Sequence, residues 1–305
     1  MKAVNMNMMN NMTDNIDFSN IFLLSDMDGT LINSHSEISD VNRSVLKEFT
    51  QLGGTFAVAT GRTLNSCQSY INTLPINAPS IFYNGTILEN VHNSSVIKTL
   101  SLNGASIYDF LQQCLDKCPG ICIQLHTKDT FFTITDPKWD DPVLEREKPQ
   151  FFRATLDEVK KLDLTILKVQ FYTEDKRKIS WLHNFAKSME MDRVAKYFTS
   201  WSCYFELIPK NASKGIMLEQ LRRMPVYKDK IFIAVGDFDN DIEMLLYADW
   251  GIAAQNATSN LKRAADIVSV SCDDHLIAHV ISKIIPHLNN LDDMDKLMVN
   301  SLLIA

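Results

Sequence analysis

Residues 21–31 read Ile21-Phe22-Leu23-Leu24-Ser25-Asp26-Met27-Asp28-Gly29-Thr30-Leu31. A mostly apolar run ends in a carboxylate, and a second carboxylate follows two positions later. Such a run, with no apolar–polar alternation, predicts a strand buried on both faces, as in a parallel sheet. Gly29 lets the chain turn away sharply. Side chains two apart at a strand end project to the same side, so Asp26 and Asp28 are expected to share one site. Carboxylates this close repel unless a cation lies between them or one keeps its proton. A hard cation such as Mg²⁺ suits oxygen-only ligands.

The same rhythm continues downstream. Ser39 is placed to cap a helix reaching about Leu52, and Gly53-Gly54 stops it. Thr55–Thr60 predicts a second strand, a helix follows from about Leu64, and Pro79–Tyr83 predicts a third strand closed by the turn pair Asn84-Gly85. Strands and amphipathic helices in alternation are the pattern of a doubly wound α/β sheet. From Thr86 to about Tyr204 the strands become shorter and pair at hairpin spacing, as with Ile121–His126 and Phe131–Thr135. Helices are expected at Ala105–Lys117, Leu156–Lys161 and Lys176–Met189. This is an α+β segment inserted into the α/β unit. The parallel rhythm returns with Ser213 capping a helix, the strand Ile231–Gly236, a helix over Asp239–Tyr247, the strand Trp250–Ala253, and further elements to Leu288.

In a doubly wound sheet, ligands bind at the carboxyl ends of the strands. Four segments fall there. Asp26–Leu31 is the first. Thr60-Gly61-Arg62 offers a hydroxyl and open backbone N–H groups to an anion. Lys214 sits in a first helical turn, against the helix dipole, unless an anion compensates it. Gly236-Asp237-Phe238-Asp239-Asn240-Asp241 crowds three carboxylates into one strand-to-helix turn. Capping needs one of them, so the rest suggest a metal, with Asp237 the best-placed ligand.

In order and context these segments resemble the haloacid dehalogenase (HAD) superfamily, most closely its Cof-type (class IIB) phosphatases. The resemblance rests on DMDGTL at 26–31, TGR at 60–62, Lys214 within NASKGIMLEQL, GDFDNDIEML at 236–245 and GIAAQNA at 251–257. It implies a Rossmann-like HAD core over 20–84 and 207–305, a C2-type (C2B) cap over 85–206, and a leader over 1–19. It also implies roles. Asp26 is the expected nucleophile and Asp28 the expected acid and base. Asp26, the Asp28 carbonyl, Asp237, Phe238 (through its backbone) and Asp241 are the expected Mg²⁺ shell. Met27 (through its N–H), Thr60, Gly61, Lys214 and Asn240 are expected to hold phosphoryl oxygens. The implied reaction is hydrolysis of a small phosphorylated metabolite, a sugar phosphate being the commonest family choice, through an aspartyl-phosphate. A phosphomutase of the same fold and a non-catalytic phosphometabolite-binding module are the competing readings. Two departures stand out. Ala254-Gln255 replace the family's Met-Gly, and His275 replaces the Gly that usually follows the acidic pair Asp273-Asp274. In the insert, His126, Lys168, Gln170 and Tyr204 are candidate specificity residues.

Composition narrows the partners. The chain has 305 residues with 30 Lys+Arg against 37 Asp+Glu, a net charge of −7. That balance argues against a general nucleic-acid binder, which needs a basic face. The clusters Lys176-Arg177-Lys178 and Arg222-Arg223 read as solvated helix faces. The longest apolar runs fall short of the ~18 residues that span a bilayer. Six Cys without a C-x-x-C pair predict free thiols in a reducing cytoplasm. Cys114, Cys118 and Cys122 are spaced by four, but Pro119-Gly120 breaks a shared helix. His275 and His279 lack the Glu of a zinc motif. The Asn- and Met-rich first residues lack a signal-peptide core, and Met12 is an alternative start. Leu291, Met294, Leu297, Met298 and Leu302 fall near helical spacing, which suits docking on the protein's own core or a dimer contact. A monomer or homodimer is expected.

Overall fold

The computed structural model describes residues 17–102, 104–147, 149–200 and 202–288. The Met-rich start and the apolar C-terminal stretch from Leu291 therefore lie outside the described residues.

The central layer grows from β1 (Ile21–Ser25), in which all five residues are buried. Helix α1 (Asp40–Gln51) begins where the Ser39 hydroxyl accepts the Asn42 N–H, and it buries Val45, Leu46 and Phe49. Gly53 ends the connection at φ +91°, a conformation that excludes most other residues. The chain returns as β2 (Thr55–Val58) and enters α2 (Leu64–Ile71) through a Thr63–Ser66 capping box. The third expected strand is only partly parallel. β3 (Ser80–Phe82) touches the β2 side through one parallel bridge, Ala59 to Ile81, and otherwise pairs antiparallel with β4 (Ile87–Asn90). Its extension is cut short because Tyr83, Asn84 and Gly85 are all left-handed, with φ of 51°, 56° and 90°. β5 (Ser95–Thr99) completes this three-stranded sheet.

The inserted segment builds its own sheet. It contains α3 (Ala105–Lys117), β6 (Cys122–His126), β7 (Phe131–Thr133), α4 (Pro142–Glu147), β8 (Phe152–Arg153), α5 (Leu156–Lys161), β9 (Lys168–Tyr172), α6 (Lys176–Ser188), β10 (Ala195–Ser200) and β11 (Tyr204–Pro209). The strand order is β10-β11-β9-β6-β7-β8. One face is apolar: Ile123, Leu125, Val169, Phe171, Phe205 and Leu207 join Phe110 and Leu111 of α3, Val159 of α5 and Leu182 of α6 in one hydrophobic cluster. The residues between them on β6, β9 and β11 are polar, following the period of two. Helix α3 ends at Lys117, and Cys122 lies in β6 beyond Pro119-Gly120.

The parallel layer resumes with α7 (Lys214–Arg222), β12 (Ile231–Gly236), α8 (Ile242–Tyr247), β13 (Trp250–Ala253), α9 (Ser259–Ala264) and β14 (Ile267–Val268). The five-stranded order is β14-β13-β12-β1-β2, every neighbour parallel. The sequence-adjacent pair β1–β2 and the late strands thus meet at β1–β12, where the connections reverse direction. The last helical run comprises α10 (Leu276–His279), a widened π turn over Val280–Ile284, and α11 (Ile285–Leu288). The widening precedes Pro286, whose ring cannot sit against a normal α-turn carbonyl. His275 takes the left-handed conformation itself, φ 59° and ψ 48°, with its Nδ1 2.9 Å from Ser39 Oγ. The left-handed conformation is one that Gly adopts without strain.

The buried hydrophobics form two clusters, and Leu167, between residues of the second, joins the larger one. The larger contains β1, β2, β12 and β13 together with Ile87 and Leu88 of the β4 strand. The second begins at Leu102 and ends at Leu207.

Candidate active site

The β1 ladder ends at Ser25, and the Asp26 N–H donates to the Val235 carbonyl at 2.9 Å. This ties Asp26 to the adjacent end of β12, which delivers Gly236 and Asp237 to the same edge. Asp26 is buried. Lys214 Nζ donates to Asp26 Oδ1 at 2.5 Å and to Asp241 Oδ1 at 2.6 Å. Lys214 is fully buried despite its place at the first position of α7. Asp241 Oδ2 accepts the N–H groups of Asp237 (3.1 Å) and Phe238 (3.2 Å). Thr30 Oγ1 donates to Asp237 Oδ1 at 3.2 Å. Oxygen atoms of Asp26, Asp237 and Asp241 all lie within 4.8 Å of one another.

Charge crowding shows in the proton affinities. Burial, with help from Asp241 and Asp237 and against Lys214, pushes the Asp26 carboxyl well above its usual range. Burial and then Asp241 push Asp237 up to about 6. For Lys214, burial acts downward, but Asp241 and Asp26 outweigh it and hold the ammonium charged.

The turn after β1 gives the Asp28 side chain a neighbour that strand alternation does not foresee. Asp28 is bridged to Ile32 within a tight turn rather than continuing the strand, so the alternation of a strand no longer applies. Its carboxylate faces Arg62 instead: Nε donates to Oδ2 at 2.8 Å and Nη2 to Oδ1 at 2.5 Å. Gly29, at φ +74°, passes so close to Asp237 that a Cβ there would lie 2.3 Å from its Oδ2. Met27 is buried beneath this turn, and its carbonyl accepts the N–H groups of Thr30 and Ile32.

The second loop is packed around Thr60, which is fully buried. Its Oγ1 accepts the Arg62 N–H at 3.1 Å, and its carbonyl accepts the Asn84 N–H at 3.0 Å. A Cβ on Gly61 would meet the Asn84 side chain at 3.0 Å. Asn240 Nδ2 donates to Asn84 Oδ1 at 2.9 Å, which joins the late acidic turn to this loop. Phe238 is 61% exposed, so only its backbone faces the cluster. Two contributors escape motif reading. Asn84 is legible as a turn residue, not as a partner of Asn240. Asn256 donates from Nδ2 to the Gly29 carbonyl at 2.8 Å and accepts the Cys272 N–H at 2.9 Å, so it braces the turn after β1.

In the inserted sheet, β6 and β9 pair His126 with Lys168 and Gln124 with Gln170. Lys168 Nζ donates to Gln170 Oε1 at 2.8 Å and lies 3.4 Å from Glu206 Oε2. The Tyr204 hydroxyl donates to Asp141 Oδ2 at 2.8 Å. His126 stacks on Phe131 and meets Tyr83, which precedes Asn84, at a centroid distance of 6.3 Å. The four residues singled out in the insert therefore share its polar face, whose His126 end abuts the Asn84 turn.

A family model described as haloacid dehalogenase-like hydrolase matches residues 23–281. The chain belongs to this family. YxeH of Bacillus subtilis (strain 168) is 29% identical over 270 residues, covering 85% of this chain and 96% of YxeH. The phosphatase YwpJ of the same organism is 25% identical over 297 residues, covering 85% of this chain and 98% of its own. Among solved structures, the HAD subclass IIB sugar phosphatase BT4131 superposes with a TM-score of 0.68 at 17% identity, covering 89% of this chain and all of that one. The last likeness is one of fold. The chain is therefore an enzyme, a phosphatase-type hydrolase of the HAD family. Among the described residues, no helix is long and apolar enough to cross a membrane.

Proposed function

We propose that the protein is a Mg²⁺-dependent phosphomonoesterase acting on small phosphorylated metabolites, sugar phosphates foremost. The observation that carries this reading is the buried Asp26 carboxylate at the end of β1, held by Lys214 beside Asp237 and Asp241. The cluster fits a hard divalent cation. Its donors are all oxygen, three carboxylates converge, and Asp237 holds its proton up to about 6 without one. Asp26, Asp237 and Asp241, with the backbone of Asp28 and Phe238, would hold the ion. Bound there, such an ion would neutralise charge on the phosphoryl oxygens.

The protein's own groups then take the following parts. Asp26 attacks phosphorus in line, and the bond from phosphorus to the ester oxygen breaks. Asp28 gives its proton to that leaving oxygen. In the second step Asp28 takes a proton from water, whose oxygen attacks phosphorus. The Asp26–phosphorus bond breaks and inorganic phosphate leaves. Lys214, Thr60, Gly61, Asn240 and the Met27 N–H stabilise the transferring group, a task that is mostly positioning and charge.

The chain division belongs to the same reading: a core of 20–84 and 207–305 and a C2-type cap over 85–206. The second hydrophobic cluster, from Leu102 to Leu207, supports a cap body of its own, while Ile87 and Leu88 of β4 and Leu167 pack with the core. The polar face of the cap sheet, which carries Gln124, His126, Lys168, Gln170, Tyr204 and Glu206, suits a hydroxylated leaving group. Six free cysteines fit a reducing cytoplasm. The test is phosphate release by the wild type and Asp26→Asn, each with Mg²⁺ or EDTA, across a metabolite panel. Release by the wild type with Mg²⁺ alone supports the proposal. Equal rates in all four conditions would refute it.

A further inference from the structure

Tyr83, Asn84 and Gly85 are left-handed in succession, with φ of 51°, 56° and 90°. Such backbone is unfavourable for a residue with a Cβ and persists where its surroundings over-determine it. The surroundings here are the segments expected to hold phosphoryl oxygens. The Asn84 N–H donates to the Thr60 carbonyl at 3.0 Å and the Tyr83 N–H to the Arg62 carbonyl at 3.1 Å, so the turn grips the loop on both sides of Gly61. Gly85 lies against the start of α7: a Cβ there would overlap the Ser213 carbonyl group and come 2.8 Å from the Lys214 nitrogen. Asn84 Oδ1 accepts from Asn240 Nδ2 at 2.9 Å. Three segments distant in sequence thus meet on one turn.

The contact with Asn240 has a chemical consequence. A side-chain amide has an acceptor end and a donor end that carries two N–H groups. Asn240 is exposed, so close packing does not choose between its two ends. Asn84 Oδ1 does choose: it attracts the donor end and repels the oxygen. One N–H goes to Asn84, and the second stays on the same end for an anion. A flipped amide would turn its oxygen toward a phosphoryl oxygen and repel it.

The turn is also fastened to the insert. Tyr83 is buried, its hydroxyl donates to the Thr127 carbonyl at 2.9 Å, and its ring meets His126 at a centroid distance of 6.3 Å. His126 ends β6 and Thr127 follows it.

We propose that the turn Tyr83–Gly85 is a positioning element of the phosphate site. Asn84 orients the Asn240 amide toward the phosphoryl oxygens, and Tyr83 ties that orientation to the seating of the inserted domain. This inference rests on the phosphate-holding roles given above.

The experiment measures the affinity of the full chain with Mg²⁺ for inorganic phosphate by calorimetric titration, and beside it kcat and KM on the best ester of a metabolite panel. The variants are Asn84→Gly, which keeps the left-handed backbone without strain, Asn240→Ala, Tyr83→Phe and their pairwise combinations. Asn84→Gly and Asn240→Ala are each expected to weaken phosphate binding by about 10-fold or more, the scale of a hydrogen bond to a charged group. The double variant loses no more than either single one, because Asn84 acts through Asn240. Tyr83→Phe keeps the ring and loses one hydroxyl bond. It is expected to weaken phosphate binding by about 3-fold and to add nothing to Asn84→Gly. Additive losses in the Asn84→Gly/Asn240→Ala pair, or wild-type phosphate affinity in Asn84→Gly, overturn the part given to Asn84. Wild-type phosphate affinity in Tyr83→Phe overturns the part given to Tyr83. If near-UV circular dichroism shows Asn84→Gly unfolded, the pair Tyr83→Phe and Asn240→Ala decides by the same non-additivity. A wild type that binds phosphate but hydrolyses no ester overturns the phosphatase reading, while the phosphate affinities still decide this one. A wild type that binds no phosphate overturns both.

Discussion

Lys214 Nζ lies between Asp26 and Asp241, 2.5 Å from one carboxylate and 2.6 Å from the other, with almost no exposure to solvent. Asp26, just past β1, and Asp241, in the turn that follows β12, are thereby joined through the first residue of α7. The ammonium offsets repulsion that burial would otherwise magnify, since charges interact more strongly where water is excluded. Replacing it by Lys214→Met removes the cation but leaves both carboxylates buried. Breaking a buried pair in this way costs about 3–5 kcal/mol. The variant is expected to unfold at clearly lower urea concentration than the wild type and to lose phosphate release. An unchanged unfolding midpoint contradicts this account of the site.

Gly29 is the second position where little can change. Its φ of +74° already disfavours a side chain, and a Cβ would lie 2.3 Å from Asp237 Oδ2. Gly29→Ala must therefore move Asp237 or the turn itself. A strained backbone of this kind costs about 1–3 kcal/mol. Activity should fall by about 100-fold, the scale expected for a ~1 Å displacement at a reacting centre. Calorimetric titration with Mg²⁺ should show weaker binding than in the wild type. A variant with wild-type kcat argues that the turn and Asp237 move independently.

Asn256 tests the bracing contact that motif reading missed. Its amide links the Gly29 carbonyl to the Cys272 N–H, although the residue is exposed. Asn256→Ala should cost about 1 kcal/mol of stability, the net worth of an ordinary hydrogen bond. Its kcat should fall several-fold with little change in KM, measured by steady-state phosphate release. A rise in KM alone points to substrate contact rather than bracing.

His126 makes the inserted domain sensitive to acid. Burial, followed by the charge of Lys168, holds the imidazole well below its ordinary 6.5. Between that lowered value and 6.5 the unfolded chain binds a proton that the folded chain does not. Stability therefore rises with pH through this window and is lost as pH falls below about 6.5. Wild type should lose more stability between pH 7.5 and pH 5 than His126→Gln, as read by thermal unfolding followed at both pH values. Equal losses in the two proteins show that His126 does not set the acid response.

Most of the site was legible in order along the chain, for a local reason. Each functional segment sits where an apolar run stops, and strand ends and helix starts are set by nearby residues such as Ser39, Ser213 and Gly29. The helices Ala105–Lys117 and Leu156–Lys161 and the strands Ile231–Gly236 and Trp250–Ala253 have the expected bounds for the same reason. Short-range patterns failed where the chain left regular structure. Strand alternation was the ground for setting Asp28 beside Asp26, yet the strand ends at Ser25 and Asp28 stands in a turn with its carboxylate on Arg62. Pro79–Tyr83 was read as a third strand of the α/β rhythm, yet three left-handed residues fold β3 back onto β4.

By itself, then, the sequence determined which residue types gather at one sheet edge, because hydrophobic period and capping are local properties. Only the tertiary structure decided the pairings: Lys214 between Asp26 and Asp241, Arg62 on Asp28, Asn240 on Asn84 and Asn256 on Gly29. These contacts join residues from 27 to 227 positions apart, and no local propensity encodes them. They exist because the parallel ladders β1–β2 and β1–β12 set neighbouring strand ends side by side.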